Sequence, residues 1–261
     1  MKKFLAFFSG MLPTSVWEKM EYTGAYFAGK GSGSDSLGAE AKAAARFIGD
    51  RSGLVIFDIG ANQGDWSAAI LGALGRRIAK LYQWEPSPHN IQFLRERFSD
   101  ERISVMPFAV GDREGDADLF SDTPGSGMAS LYKRELTHAN ISLDKSSKVK
   151  LTTLDTFITE HKIKRIDFMK MDIEGGEFAA LRGATHALEN GTIAALSFEF
   201  GGCNIDSRTY FQDYWYLLSP LGYEIFRVLP NSGTRRVHNY SEMLECFRTT
   251  NYVAVRPSSA R

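Results

Sequence analysis

The sequence predicts a doubly wound α/β domain on a mostly parallel sheet, and three observations carry that prediction. Strand-like and helix-like runs alternate from Leu54 to Phe200, as in crossover units stacked on both faces of one sheet. The first apolar run, Val55-Ile56-Phe57, leads into Asp58 and then Gly60 and Gly64, a strand-to-helix turn of the kind that receives nucleotide-type ligands. About twenty residues past that turn, Leu81-Tyr82-Gln83-Trp84 ends in Glu85, where an acid can hold ribose hydroxyls.

Residues 1–50 read as an N-terminal helical extension or cap, and residues 51–261 as the domain proper. The apolar run Phe4–Phe8 is short and lacks a small-x-small cleavage site, so an amphipathic helix packed on the domain fits it better than a signal peptide. Gly29–Gly38 reads as a flexible loop and Ala39–Ile48 as a helix. Leu54–Ile59 is the first strand, and Asp65–Leu74 is a helix that buries Trp66, Ile70 and Leu74. Leu81–Trp84 is the second strand. Ser87-Pro88 then opens a helix with a capping residue and a proline at the first position, and Ile91, Leu94 and Phe98 share one face.

Ile103–Val110 reads as a third strand. An insertion follows over about residues 116–154, with strands at Asp116–Phe120 and Val149–Leu154 and a loop at Gly125-Ser126-Gly127. Asp167–Asp172 is the fourth core strand, and one helix runs from about Glu177 to Leu188. Ile193–Phe200, Tyr223–Val228 and Tyr252–Val255 complete the sheet, the last two as an antiparallel pair at its edge. No internal repeat is visible.

The bulk numbers narrow the function. A 43% hydrophobic and 12% aromatic composition supports a real core. Lys+Arg and Asp+Glu both number 31, so the balance gives no footprint for nucleic acid or a membrane surface and favours a small or neutral substrate. Cys203 and Cys246 have no histidine at metal spacing, which argues against a disulfide scaffold or zinc site and fits the cytoplasm. No run reaches the ~18 apolar residues a membrane helix needs.

The motifs narrow it further. The turn is not G-x-G-x-x-G, because Asn62 stands two residues after Gly60. A diphosphate needs free backbone amides there, so Asn62 and Asp65 speak against a dinucleotide. An amino-acid moiety would instead suit Asp58 and Asn62, with Gly60 and Gly64 letting the backbone approach it. The small Ala109 and Gly111 leave room for a flat adenine. In Lys170-Met171-Asp172-Ile173-Glu174-Gly175-Gly176-Glu177 three acids crowd the end of a strand, the place where open α/β sheets keep their ligands. Crowded carboxylates raise one another's pKa, so Asp172 and Glu174 are candidate general bases. Glu177 reads as helix N-terminal capping, and Glu199 joins the rim from the next strand. Magnesium on Asp172 and Glu174 would need a third ligand, which does not stand out, so no metal is expected. Of the five histidines only His138, in the insertion, is kept as an alternative base.

These residues together carry a resemblance. Phe57-Asp58-Ile59-Gly60-Ala61-Asn62-x-Gly64, Glu85-Pro86, Ala109-Val110-Gly111-Asp112 and Lys170-Met171-Asp172-Ile173-Glu174-Gly175 look like the FkbM family of S-adenosylmethionine-dependent methyltransferases, over about residues 53–200. Ser126–Leu131 and Leu151–Asp155 match further family segments. The resemblance implies a seven-stranded Rossmann-like sheet and transfer of the S-adenosyl-L-methionine methyl to a hydroxyl of a sugar or polyketide-like acceptor. It implies that Gly60, Asn62 and Gly64 line the methionine end and that Glu85 holds the ribose. Ala109 and Val110 would flank the adenine with Asp112 nearby, and Asp172 and Glu174 would sit at the reacting end.

Two other readings stand beside it: a nicotinamide-dependent oxidoreductase, disfavoured by Asn62, and a non-catalytic cofactor-binding protein. Acceptor contacts are expected from the N-terminal extension, from 120–148 and from 201–215. Tyr26, Phe27, Tyr132, Tyr210, Phe211, Tyr214 and Trp215 offer rings for a sugar, although such spacing equally fits core or homodimer contacts.

Overall fold

A computed structural model describes residues 12–33 and 37–257, so the expected helix at the start of the chain lies outside the described residues. Its framework follows from the apolar alternation in the strands. In β1 (Leu54–Ile59), Leu54 and Ile56 face one side of the sheet and Phe57 and Ile59 the other. Two helices cover the first side. α2 (Leu37–Ile48), which follows α1 (Thr14–Phe27), supplies Ala41, Ala43, Ala44 and Ile48, and α3 (Asp65–Leu74) supplies Trp66, Ile70 and Leu74.

The chain continues through β2 (Ile78–Trp84) and α4 (Pro88–Arg97) to β3 (Ile103–Met106). The expected third strand is therefore shorter than Ile103–Val110. Pro107 has no amide to donate to a ladder, and after it the chain leaves the main sheet. β4 (Ala109–Val110) pairs instead with β6 (Lys145–Thr152), which also pairs with β5 (Gly115–Ser121) to make a separate three-stranded sheet. The insertion expected from the sequence is thus a small sheet of its own.

α5 (Leu154–Glu160) brings Leu154, Phe157 and Ile158 onto the second face of the main sheet. β7 (Phe168–Met171) follows, and the expected long helix comes as two, α6 (Glu177–Arg182) and α7 (Thr185–Glu189). The break has a packing reason: a Cβ at Gly183 would sit 2.0 Å from the Gly111 carbonyl oxygen, so the helix touches the turn after β4 at this point. β8 (Ala195–Phe200), α8 (Cys203–Ser207), α9 (Phe211–Leu218), β9 (Glu224–Val228), β10 (Thr234–Val237) and β11 (Thr250–Val255) complete the chain.

The main sheet has the order β10-β9-β11-β8-β7-β1-β2-β3. From β3 to β8 the pairs are parallel, while β11 runs antiparallel between β8 and β9. The expected pairing of the last two strands is present. The sheet nevertheless holds eight strands rather than seven, because Thr234–Val237 pairs with β9 and forms the edge. Strand order reverses between β1 and β7, so a crevice opens at their carboxyl ends. The glycine stretch expected to be flexible is tied down where it is described: Gly31 donates to Thr250 Oγ1 at 3.0 Å, and Gly33 donates to the Thr249 carbonyl at 2.9 Å.

Candidate functional site

A cavity of about 340 Å³ occupies that crevice, within the range of ligand pockets. The turn after β1 forms its floor. Gly60 and Ala61 both donate their amides to the Trp84 carbonyl, at 3.0 and 2.9 Å, which folds the turn over the end of β2. Gly60 needs its left-handed φ of 79°, and a Cβ there would lie 1.9 Å from the Asp172 carbonyl oxygen. The approach of the β7 turn thus requires a glycine here, and Gly60 also lines the cavity.

Gly64 does not line the cavity. It precedes α3 with a φ of 80°, and a Cβ on it would strike Phe98 and Leu94 of the α4 region. Asn62 does line the cavity, and its backbone amide donates to Glu85 Oε2 at 2.8 Å.

Glu85 stands beside Asn62 on the same wall, 6% exposed, with Oε1 accepting the Ser87 amide at 2.9 Å. Ser87 makes no side-chain cap for α4; its amide is held by this carboxylate instead. Burial pushes the Glu85 carboxyl up, against the pull of those amides. Each oxygen accepts one backbone amide and the Asn90 side chain also bonds the carboxylate, so part of its acceptor capacity is left for a hydroxyl donor. Phe108, Ala109 and Val110 make an apolar side next to Trp84. Ser126, Gly127, Ala129, Ser130 and Leu131, from the connection between β5 and β6, close the cavity from another side.

Two further expected residues lie away from the cavity wall, as Gly64 does. Asp58 is fully buried behind the turn, where Ser67 Oγ donates to Oδ2 at 2.6 Å and Lys170 Nζ lies 3.5 Å from Oδ1. It faces α3 because β1 alternates, and Asp58 shares the side of Leu54 and Ile56. Burial raises its carboxyl and Lys170 opposes the rise. Asp112 is turned to the outside, where it pairs with Arg182 and lies 3.6 Å from Arg113.

The turn after β7 brings in the acids. Asp172 and Glu174 both line the cavity. The Asp172 side chain is 43% exposed and lies 3.3 Å from Lys170 Nζ. Glu174 adopts a left-handed φ of 53°, uncommon for a residue with a Cβ, and its Oε2 accepts a hydrogen bond from Arg134. Burial first, and then the neighbouring Asp172, raises the Glu174 carboxyl to about 7 in spite of Arg134. Ser130 Oγ donates to the Glu174 carbonyl at 2.8 Å and so ties the insertion to this turn.

Glu177, read from the sequence as capping, is fully buried; it accepts the Ile173 amide at 2.8 Å and the Gly175 amide at 3.0 Å. Burial raises it to about 7. Glu199 reaches the same rim, held well above its ordinary value by burial and then by Asp172, Glu174 and Glu177. With Glu174 and Cys203 it brings three ligand-type atoms within 4.8 Å of one another. The Cys203 thiol is pushed up by burial, which disfavours the thiolate that metal binding requires.

Sequence reasoning missed three groups. Arg134 is 8% exposed and reaches Glu174 and Asp206 from the insertion. Lys170 is the buried cation among the acids. Glu40 of α2 is raised to about 8 by burial and then by Asp172. The apolar surroundings of Lys170 in its own strand were the one usable signal. His138 is exposed and does not line the cavity. Phe211 and Tyr214 belong to the core rather than to an acceptor surface, whereas Phe27 and Tyr210 are exposed. Among the described residues, no helix is long and apolar enough to cross a membrane.

The chain is similar to several known methyltransferases. The chain is 28% identical over 145 residues to the 2-O-methyltransferase NoeI of Sinorhizobium fredii, an alignment covering 51% of this chain and 58% of that protein. It is 24% identical over 148 residues to the hexuronic acid methyltransferase AglP of Haloferax volcanii, covering 56% of each. The chain therefore matches a little over half the length of these curated relatives. A crystal structure of an FkbM methyltransferase from Methylobacillus flagellatus aligns with 22% identity and a TM-score of 0.48, over 77% of this chain and 43% of that one. The family model described as the methyltransferase FkbM domain matches residues 58–225, which include the β1 turn, Glu85, the insertion and the β7 turn. The chain belongs to the FkbM methyltransferase family.

Proposed function

We propose that the protein is an S-adenosylmethionine-dependent O-methyltransferase acting on a hydroxyl of a sugar, a glycan or a similar small molecule. The observation that carries this reading is a single cavity at the switch point with Asn62 and Glu85 on one part of its wall and Asp172 and Glu174 on another. The wall suits such a cofactor. Glu85 retains acceptor capacity for a ribose hydroxyl, the Phe108–Val110 side is apolar, and the acids favour a cationic sulfonium end. The names of the two curated relatives support a hydroxyl on a sugar-type acceptor.

Glu85 would hold the ribose, Gly60 and Asn62 the amino-acid end, and Ala109 and Val110 the adenine. When bound, the cofactor supplies an electrophilic methyl group on sulfur. The chain's own contribution is then orientation and proton removal. The cavity walls hold the acceptor oxygen in line, and Ala129 and Leu131 of the insertion keep water out. Glu174 is the base of choice, because a carboxyl raised to about 7 is matched to neutral pH. Arg134 occupies Oε2, so Oε1 would be the oxygen left to take the acceptor hydroxyl's proton. Asp172, beside Lys170, orients the acceptor.

Titration calorimetry tests the cofactor half. Wild type should bind S-adenosylmethionine and not NADH, and Glu85→Ala should weaken that binding by roughly tenfold, the worth of about one charge-assisted hydrogen bond. Unchanged binding by Glu85→Ala would sink the assignment. For the base, Glu174→Gln should lower kcat by about a hundredfold and remove the rise in rate with pH near 7.

A further inference from the structure

Lys170 sits where a charge is costly. Register aligns Gln83, Asp58, Lys170 and Ser197 across β2, β1, β7 and β8, on the face that α2 and α3 otherwise fill with apolar side chains. Only 6% of the Lys170 side chain is exposed, and such a cation persists only when it is paired and hydrogen-bonded. Its ammonium lies 3.5 Å from Asp58 Oδ1 and 3.3 Å from Asp172 Oδ2, and it donates to the Gly60 carbonyl at 3.2 Å. Asp58 is itself anchored by Ser67 of α3. These partners stand on both sides of the crevice: Asp58 and Gly60 belong to β1 and its turn, Asp172 to the turn of β7.

We infer that Lys170 is a positioning residue whose one ammonium pins the β1 turn to the β7 turn and so sets the width of the cavity between them. The inference rests on the reading of that cavity as a cofactor site, since the pinned walls are those assigned to the cofactor's amino-acid end and to the reacting acids. Four acids act on the lysine: Asp172 at the end of its own strand, Asp58 from β1, Glu40 from α2 and Glu85 from beyond β2. Burial pulls its pKa down, but Asp172, Asp58 and Glu40 outweigh burial and hold it above its ordinary value. The pin is therefore charged throughout the working range. Geometry adds to the argument, because the turns already meet at Gly60 and Asp172, and Asp172 donates its amide to the Ile59 carbonyl at 3.0 Å.

Lys170→Met alone would strand Asp58 as an unpaired buried charge and could unfold the chain. The test is therefore the double variant Asp58→Asn/Lys170→Met, read against Asp58→Asn alone. Two measurements are made: hydrogen exchange at the Gly60, Ala61 and Asp172 amides without cofactor, and calorimetric binding of S-adenosylmethionine. The double variant should show faster exchange at those three amides, no comparable change in strand-centre amides, and roughly tenfold weaker binding, the scale of one charge-assisted hydrogen bond. Asp58→Asn/Lys170→Arg should recover part of both, which a role in packing alone would not give. Exchange and binding equal to those of Asp58→Asn would overturn the pin. If wild type binds no S-adenosylmethionine, the cofactor reading falls, and the exchange arm still decides whether Lys170 joins the two turns.

Discussion

After β1 the chain turns on glycines and backbone amides; after β7 it turns on carboxylates. In the first turn, Gly60 and Ala61 share the Trp84 carbonyl and Gly64 donates to the Ala61 carbonyl at 2.7 Å, so most of its bonds join neutral groups. In the second, Glu177 takes two amides, Glu174 holds a left-handed backbone, and Arg134 reaches in from the insertion. The difference separates what shape can do from what charge can do. The first turn is shaped mainly by bonds between neutral backbone groups. The second carries groups that titrate near neutrality, as proton transfer requires and cofactor binding does not.

Gly60→Ala should have the largest effect. The added carbon meets the Asp172 backbone, which cannot yield as a side chain would, at a φ that disfavours any Cβ. A loss of at least about 3 kcal/mol is expected in urea unfolding. A near-neutral result would show that the two turns do not meet as described.

The second test concerns pH. Glu174 and Glu177 are raised in the folded state to about 7, and Glu40 to about 8, from an ordinary value of 4.5. The folded protein therefore binds more protons than the unfolded chain across that window. The stability these groups contribute is complete below about 4.5 and is lost as pH rises through 7 to 8. Urea midpoints should fall from pH 5 to pH 8, and Glu177→Gln should flatten that slope by roughly 1 to 3 kcal/mol over the range. An unaltered slope would mean that the second turn is not held by a titrating group.

The smallest change is expected at Gly176→Ala. There the new Cβ would meet the tip of Ile173 at 3.0 Å, and the backbone is not left-handed. Such a neighbour can move, so thermal unfolding should shift by less than about 1 kcal/mol equivalent. Matching losses at Gly60 and Gly176 would erase the contrast between the turns.

What the sequence made legible follows the same division. β1 and α3 were readable to the residue because an apolar run, a glycine turn and a helical period mark them locally. The break after Met106 was readable in principle from Pro107. The split between α6 and α7 was not, since it answers to the Gly111 carbonyl far away in sequence. β10 escaped notice because Thr234-Arg235-Arg236-Val237 is polar, as edge strands tend to be. At the site, the strand-end acids were visible as a cluster. That Asp58 faces inward and Glu85 faces the cavity depends on strand alternation combined with the helix covering each face. Arg134 had no local signal at all, for its partner Glu174 is 40 residues distant.

The departure of β4 from the main sheet has one more consequence. The small sheet satisfies its own backbone bonds through β4, β5 and β6, so the connection over residues 122–144 hangs from a frame that the eight-stranded register does not depend on. Insertions or deletions there would leave the strands of the main sheet paired. Within that connection Ser130 and Arg134 are the fixed points, because they tie it to the Glu174 turn, while the exposed stretch from Thr137 to Asn140 is free to change length.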